Sequence, residues 1–269
     1  MDKKAQIGSA TAKGGFQNER DIASKFNDWK NDNDAEQWLT IMGYKITDIS
    51  SVNAVVLKNT YKTDIQIQIR LTIKLKDGVC IENLTLKKAN INSDYNQIDK
   101  RWVDKYKDLW NFSDTLSNAL KKFTGEISPI SLLQNKEISE ECYKSLKDNR
   151  RFFIDELTES EQDEIITFFR DNKIMIICDL FKGRDKFPPT WMMVTRYDTI
   201  QKVTDWILTP INIAMNFFGG GDVKISTKGN LYIGNITMQR KGGDAGRKSA
   251  QMLQFKIKPN SLFDLQNGG

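Results

Sequence analysis

The sequence contains no histidine, and it has only three cysteines. Without imidazole, Ser-His-Asp and Cys-His catalysis are excluded, and so are the common zinc hydrolase sites and nucleases built on histidine ligands. Cys80, Cys142 and Cys178 lie far apart and form no Cys-x-x-Cys pair, so neither a zinc knuckle nor a redox motif is predicted. Any catalysis must therefore use carboxylates, lysine, hydroxyl groups and an oxygen-ligated metal such as Mg²⁺.

Long apolar runs are missing as well. No stretch reaches the ~18–20 residues of a membrane span. Small and polar residues, not the apolar core of a signal peptide, follow the first four residues. These absences predict a soluble cytoplasmic protein without membrane contact. Cys80 and Cys178 lie in apolar, strand-like runs, where we expect buried free thiols.

Positive charge is concentrated in one segment of the chain. Between Gly219 and Lys258 there are eight Lys or Arg residues but only two acidic residues, Asp222 and Asp244, although the net charge of the whole chain is +5. A basic stretch confined to one region is typical of proteins that bind a polyanion. A solvated basic surface explains the same charges, so this alternative stays open.

Hydrophobic periodicity predicts an α/β fold with mixed β-sheets flanked by helices. Asp64 to Leu75 alternates as a strand, Asp77-Gly78 forms a turn, and a second strand over 79–87 has a bulge near Glu82-Asn83. Helices are predicted over 18–30, 34–42, 98–123, 158–169 and 199–218, further strands over 173–180, 191–194, 223–227, 231–239 and 252–257, and a loop over 128–147.

Three polar residues of the first predicted hairpin fall on one face of its sheet. Asp64 opens the first strand, and Thr85 and Lys87 lie two apart on the second. Phosphodiester hydrolysis needs a carboxylate for a divalent cation, a group that orients water, and positive charge at the phosphate. Asp64 can supply the first, and Lys87 the second and some of the third, while Thr85 and the Leu86 carbonyl add oxygen ligands. A capped strand with an exposed lysine explains the same pattern.

Glu19, on the first predicted helix, is a further candidate for this site. Its carboxylate can approach the metal as an outer acceptor. A glutamate on the helix surface that pairs with Arg20 or a nearby lysine is the alternative.

Several stretches resemble one known family. They are 11–19 (TAKGGFQNE), 61–64 (YKTD), 96–102 (NQIDKRW), 123–126 (FTGE) and, most specifically, 239–247 (QRKGGDAGR) with 252–256 (MLQFK). Across nearly its full length the chain is similar to type II restriction endonucleases of the PD-(D/E)XK superfamily, in particular the GCGC-cutting HinP-type enzymes and more distantly the MspI type.

The resemblance implies a catalytic half, 1–127, with a mixed β-sheet nuclease core, and a basic α/β half, 128–269, that recognises DNA. The family's catalytic aspartate and lysine fall on Asp64 and Lys87. Its middle position, usually acidic and in this subfamily an amide, is Thr85, which leaves one charge fewer for Mg²⁺. The implied enzyme is a monomer that cuts double-stranded DNA at GCGC or a CG-centred relative, leaving a 5′-phosphate. A cognate methyltransferase would belong to the same restriction–modification system.

The basic segment is rich in side chains that can reach base edges or phosphates. Arginine and lysine can pair with guanine and glutamine with adenine. The resemblance places base contacts at Gln254 and Lys256 and a second DNA-contacting element at Gln97 and Lys100. Further candidates for base edges are Gln239, Arg240 and Lys241, and those for phosphates are Lys224, Lys228, Arg247 and Lys248.

Two other functions stay open at this point. A catalytically silent, sequence-specific DNA-binding protein would use the same basic half, but it has no need of Asp64 and Lys87. An RNA-binding protein would need aromatic platforms, and Tyr232 is one of few candidates in the basic segment. The sequence therefore favours the nuclease.

Overall fold

The computed structural model describes residues 17–57, 68–89, 95–184, 186–198, 203–243 and 246–267. The helices are α1 (17–27), α2 (Asn33–Ile41), α3 (Val103–Trp110), α4 (Asp114–Thr124), α5 (Pro129–Gln134), α6 (Glu140–Ser145), α7 (Glu159–Asp171), α8 (Lys173–Lys182), α9 (Ile211–Gly219) and α10 (Asp264–Asn267). The strands are β1 (Ile49–Leu57), β2 (Gln68–Leu75), β3 (Val79–Ala89), β4 (Asn96–Arg101), β5 (Trp191–Asp198), β6 (Val203–Pro210), β7 (Val223–Ile225), β8 (Leu231–Ile233), β9 (Ile236–Arg240) and β10 (Leu253–Ile257). None of these helices is long and apolar enough to cross a membrane.

The chain divides into two compact units. The first comprises residues up to Asn96, Phe181–Phe217 and residues from Lys258 onward, and the second comprises Gln97–Leu180 and Phe218–Ile257. Each contains a five-stranded sheet with flanking helices, in the strand orders β1-β2-β3-β5-β6 and β4-β10-β9-β8-β7. Because these units are defined by compactness, the functional division expected near residue 127 stays a prediction.

The core of the first unit explains the strand pattern of its sheet. Ile69, Leu71 and Ile73 alternate along β2, are completely buried, and share a core with Phe26 of α1 and Trp38 of α2. Fully burying such a side chain stabilises the fold by roughly 1.5–3 kcal/mol. The predicted strand is thus confirmed where it is described, from residue 68 onward.

The pairing of β2 with β3 is antiparallel and unbroken. Arg70 lies opposite Asn83 and Leu71 opposite Glu82, so the bulge predicted near Glu82-Asn83 is wrong. The apolar pattern changes phase for another reason, since Val79 and Ile81 lie on the outer face and are largely exposed. Beyond this point β3 pairs with β5 in parallel and becomes an interior strand.

An aromatic cluster forms the core of the second unit. Tyr106 and Trp110 of α3 stack with their ring centroids 4.5 Å apart, and both rings meet Phe255 of β10 edge-on. Phe169 of α7 closes the cluster against Trp110. Helix α7 begins as predicted, because Thr158 and Glu161 form reciprocal capping hydrogen bonds.

The prediction of a strand over 173–180 is wrong, because these residues form α8. Its inward face carries buried residues such as Ile176 and Leu180, while Ile174 is 85% exposed. Because apolar residues also occupy the solvent face of α8, the sequence lacks the spacing of three to four residues that indicates a helix. The run therefore resembles a buried strand in composition. Cys178 is exposed on this helix and not buried as expected, and Cys80 is only partly buried.

The helix predicted over 199–218 is also wrong in its first half. Val203–Pro210 is β6, which pairs antiparallel with β5, and only Ile211–Gly219 is helical. Pro210 therefore ends a strand and directly precedes a helix, both positions that suit a residue without an amide proton.

Smaller differences follow from local turn and capping residues. The helix predicted over 98–123 begins as strand β4 and becomes helical only at Val103. The predicted loop 128–147 contains α5 and α6, whose first turns are capped by the hydroxyls of Ser128 and Ser139. The strand predicted over 231–239 is interrupted at Gly234, whose φ of 57° turns β8 into β9.

Candidate active site

Strand β3 positions three of the predicted site residues. Thr85 and Lys87 point to one face of the sheet, while Leu86 points to the other and joins the core. Thr85 is 5% exposed, and Lys87 lies opposite Val194 of β5. Because β3 pairs with β2 up to Thr85 and with β5 from Leu84 to Ala89, both residues start from a fixed backbone.

Asp64 lies outside the described residues, so its role as the metal-binding carboxylate stays a prediction. At the described end of β2, Gln68 pairs with Thr85. Asp64 and Gln68 have the same parity in the alternating sequence.

Helix α1 carries Glu19, which is 9% exposed and therefore not a surface glutamate. Burial raises the pKa of the Glu19 carboxyl to about 7, and the positive charge of Lys87 acts in the opposite direction. Its Oε2 atom is buried and has no hydrogen-bond partner among the described residues. A buried carboxylate oxygen in this condition is costly for folding and typical of a functional site.

Asn18 anchors this end of α1 to the sheet. Its side-chain nitrogen donates to the hydroxyl of Thr195 on β5 over 2.9 Å, and Thr195 is buried. The contact is between residues far apart in sequence, so sequence reasoning missed it. The only signal was the position of Asn18 directly before Glu19 in the stretch 11–19.

The donors of this site suit a hard divalent cation. The Glu19 oxygen without a hydrogen-bond partner and the Thr85 hydroxyl offer oxygen atoms, which Mg²⁺ prefers over nitrogen or sulfur. Within the described ranges, no group of three or more His, Cys, Asp or Glu side chains forms a metal site. Asp64 is outside those ranges, so a carboxylate from the predicted first strand would complete the set.

Strands β9 and β10 carry the predicted base-contacting residues. Gln254 lies opposite Gln239 and Lys256 opposite Thr237, so these four side chains share one face of the second sheet. The other face carries buried residues such as Phe255. Gln254 is itself only 3% exposed, whereas Gln239 and Lys256 are partly exposed.

Strand β4, the neighbour of β10, carries Gln97 and Lys100. Both side chains are partly buried. Because they are three residues apart on a strand, they point to opposite faces of the sheet. The structure therefore places both residues beside β10 but does not bring them together on one face.

The predicted phosphate-contacting residues are on the surface. Lys224 on β7, Lys228 in the turn before β8, and Arg247 and Lys248 in the loop before β10 are all exposed. Lys241 is partly buried. Arg240 is also partly buried, and its Nε donates to the Ala250 carbonyl over 3.0 Å.

Comparisons with known proteins agree with this architecture. The family model of the R.HinP1I restriction endonuclease matches residues 42–263. The structure is similar to that of restriction endonuclease MspI in complex with its cognate DNA, with a TM-score of 0.57 and 14% identity, over 95% of this chain and 93% of that one. This similarity confirms the mixed α/β fold class. A search of curated proteins found no significant match. The chain therefore belongs to the R.HinP1I restriction endonuclease family and is a site-specific deoxyribonuclease.

Proposed function

We propose that this protein is a Mg²⁺-dependent type II restriction endonuclease that hydrolyses double-stranded DNA at a short palindrome and leaves a 5′-phosphate. The family and the fold support the class of enzyme. The observation that carries the proposed chemistry is the buried Glu19 carboxyl, which interacts with the charge of Lys87 on β3. Such a pair has no evident structural role, since burial of the carboxylate is unfavourable.

Within this proposal, Asp64, the Thr85 hydroxyl and the Leu86 carbonyl provide the ligands for Mg²⁺. Bound Mg²⁺ would supply the positive charge that polarises the scissile phosphate and activates water. Lys87 orients the attacking water and stabilises the negative charge that develops on the phosphate oxygens.

Glu19 compensates for the departure at Thr85. A hydroxyl at the middle position provides no charge, and the buried carboxylate of Glu19 restores one. The proximity of Lys87 favours the ionised form of Glu19 and so supports this role.

We propose double-stranded DNA as the partner, and GCGC or a CG-centred relative as the recognition sequence. MspI was solved with its cognate DNA and has the same fold, which supports DNA binding here. Exposed Lys224, Lys228 and Arg247 would contact phosphates, which position the protein without specifying sequence. Gln239 and Lys256 offer partly exposed polar groups for base edges. The enzyme would act as a cytoplasmic monomer beside a cognate methyltransferase that is not a physical partner.

Plasmid cleavage tests this function. The substrate is a plasmid with one GCGC site, and the control is the same plasmid with that site changed by one base. We expect cutting of the first plasmid with Mg²⁺, no cutting in EDTA, and recovery when Mg²⁺ is added back. DNA binding without cutting under any of these conditions would support the alternative, a non-catalytic DNA-binding protein. Undiminished cutting in EDTA would contradict the metal requirement.

A further inference from the structure

Three arginines come together within the second unit, and two of them were not predicted as functional. Arg150 and Arg151 follow α6, and Arg240 ends β9. The carboxylate of Asp148 is close to the first two. It accepts from Nε and Nη2 of Arg150 at 2.8 and 2.9 Å and lies 3.8 Å from Nε of Arg151.

The stretch 123–126, whose role the nuclease chemistry does not explain, builds the platform for these arginines. The guanidinium of Arg151 lies 3.9 Å from the ring centroid of Phe153 and 5.2 Å from that of Phe123. Gly125 has a φ of 83°, and a Cβ there would collide with the backbone carbonyl of Arg150. A glycine is thus required for the Arg150 backbone to approach this turn.

The same platform is joined to the basic segment that carries Arg240. The side-chain amide of Gln251 donates to the Gly125 carbonyl over 2.7 Å. Arg240 in turn donates to Ala250, the preceding residue of that loop. The arginine cluster is therefore continuous with the loop that presents Arg247 and Lys248 to solvent.

The cluster has more positive charge than its surroundings neutralise. Burial lowers the pKa of Arg151 to about 10. The charge of Asp148 opposes this shift, and the charges of Arg240 and Arg150 add to it. Burial and the charge of Arg150 also lower the pKa of Arg240. The Nη1 atom of Arg151 is buried without a hydrogen-bond partner among the described residues. An anion bound beside the exposed Arg150 side chain would offset this excess of positive charge.

We propose that Arg150, Arg151 and Arg240 form a binding site for one phosphate of the DNA backbone. Guanidinium groups match the oxygens of a phosphate with paired, charge-assisted hydrogen bonds, and Arg151 is held in place by stacking before the ligand arrives. Continuity with the basic loop favours a DNA phosphate over a free anion. The assignment rests on the DNA binding proposed above.

Arg150→Ala tests the site, because Arg150 is 72% exposed and its removal spares the core. Arg170→Ala is the matched control, since Arg170 is 60% exposed and pairs with Asp171 outside the cluster. DNA affinity is measured between 50 and 200 mM salt. The loss of one phosphate contact should lower the salt dependence, so that the affinity of Arg150→Ala falls about 3.5-fold less than that of the wild type over this range. Arg170→Ala should behave like the wild type.

A series of DNA duplexes, each with one neutral methylphosphonate at a different position of the backbone, locates the contact. One position should weaken wild-type binding, and Arg150→Ala should be indifferent to that position. Arg151→Lys, which keeps the charge but loses the paired donors, should show the same indifference even if Arg151→Ala fails to fold. Equal salt dependence and an unchanged profile in Arg150→Ala and Arg151→Lys would overturn the site while leaving the endonuclease intact.

Inorganic phosphate separates the two sources of the ligand. If millimolar phosphate raises the melting temperature of the wild type but not of Arg150→Ala, and DNA affinity is equal in both, the site binds free phosphate and the DNA assignment is wrong. A wild-type protein that binds no DNA would overturn this site and the proposed function together.

Discussion

The carboxyl of Glu19 on α1 is buried, and it interacts electrostatically with Lys87 on β3. Helix α1 packs on the sheet through Phe26, and the Asn18–Thr195 hydrogen bond holds its end against β5. The helix therefore brings a second acidic group to the strand that carries the predicted catalytic lysine. This relationship has consequences for both stability and catalysis.

We expect Glu19→Gln to stabilise the metal-free protein at high pH. The pKa of Glu19 is raised to about 7, so the folded protein retains a proton that the unfolded chain releases near pH 4.5. The free energy of unfolding should therefore fall as the pH rises through this window, by roughly 3 kcal/mol in total. Urea unfolding in EDTA should show the variant more stable at pH 8 and equal to the wild type at pH 4. Parallel pH profiles would contradict a buried carboxyl.

Lys87→Ala should lower the cleavage rate by about 10²–10⁴-fold, the range typical of a group that orients or activates water. DNA affinity should change little, because in the proposed mechanism Lys87 acts on the reacting phosphate and not on bases. Asp64→Ala should behave in the same way. Lys88→Ala is the matched control, since Lys88 is the exposed neighbour on the opposite face of β3. Near wild-type nicking by either of the first two variants would refute the active-site assignment.

The strand β2 shows what sequence could predict about this site. Its apolar residues Ile69, Leu71 and Ile73 alternate strictly and are buried, as their parity in the sequence predicted. The burial of Glu19 did not follow. The amphipathic pattern of a helix predicts which of its faces is buried. It does not predict which part of the sheet covers a residue near the helix end, such as Glu19.

Helix α8 shows the opposite case. Local composition favours a strand, because Ile174, Ile176 and Ile177 are β-branched. Tertiary contacts favour the helix instead. Asp179 on α8 accepts a hydrogen bond from the indole nitrogen of Trp110, a member of the aromatic cluster, at 2.9 Å. A buried carboxylate with a specific partner is a tertiary feature that composition does not reveal.

Base-contacting and phosphate-contacting residues should differ in their effects. Lys256→Ala should weaken discrimination between cognate and one-base-changed sites by ~1–3 kcal/mol. Gln254 is buried, so Gln254→Met, which keeps the volume, tests its amide without leaving a cavity. Lys224→Ala and Lys228→Ala should instead weaken binding to all sequences and reduce its salt dependence. Competition binding with both duplexes at several salt concentrations measures these effects, and equal losses for all four variants would mean that the base contacts lie elsewhere.

A single chain with one active site should cut one strand at a time. We expect supercoiled plasmid to pass through a nicked, open-circle form before it becomes linear. Light scattering should give a particle near the chain mass of 30.9 kDa. Linear product without a nicked intermediate, together with a particle of ~60 kDa, would establish a two-fold dimer instead.

The interleaving of the two units along the chain limits how either unit can be exchanged. The second unit is built from Gln97–Leu180 and Phe218–Ile257, so no single insertion or truncation transfers it between relatives. During synthesis, β3 can pair with its parallel partner β5 only after about 100 further residues have been made. Such long-range pairing is slow to form. The first sheet can be completed only after most of the second unit has been synthesised. Transfer of the whole second unit onto another scaffold would therefore require at least two simultaneous grafts.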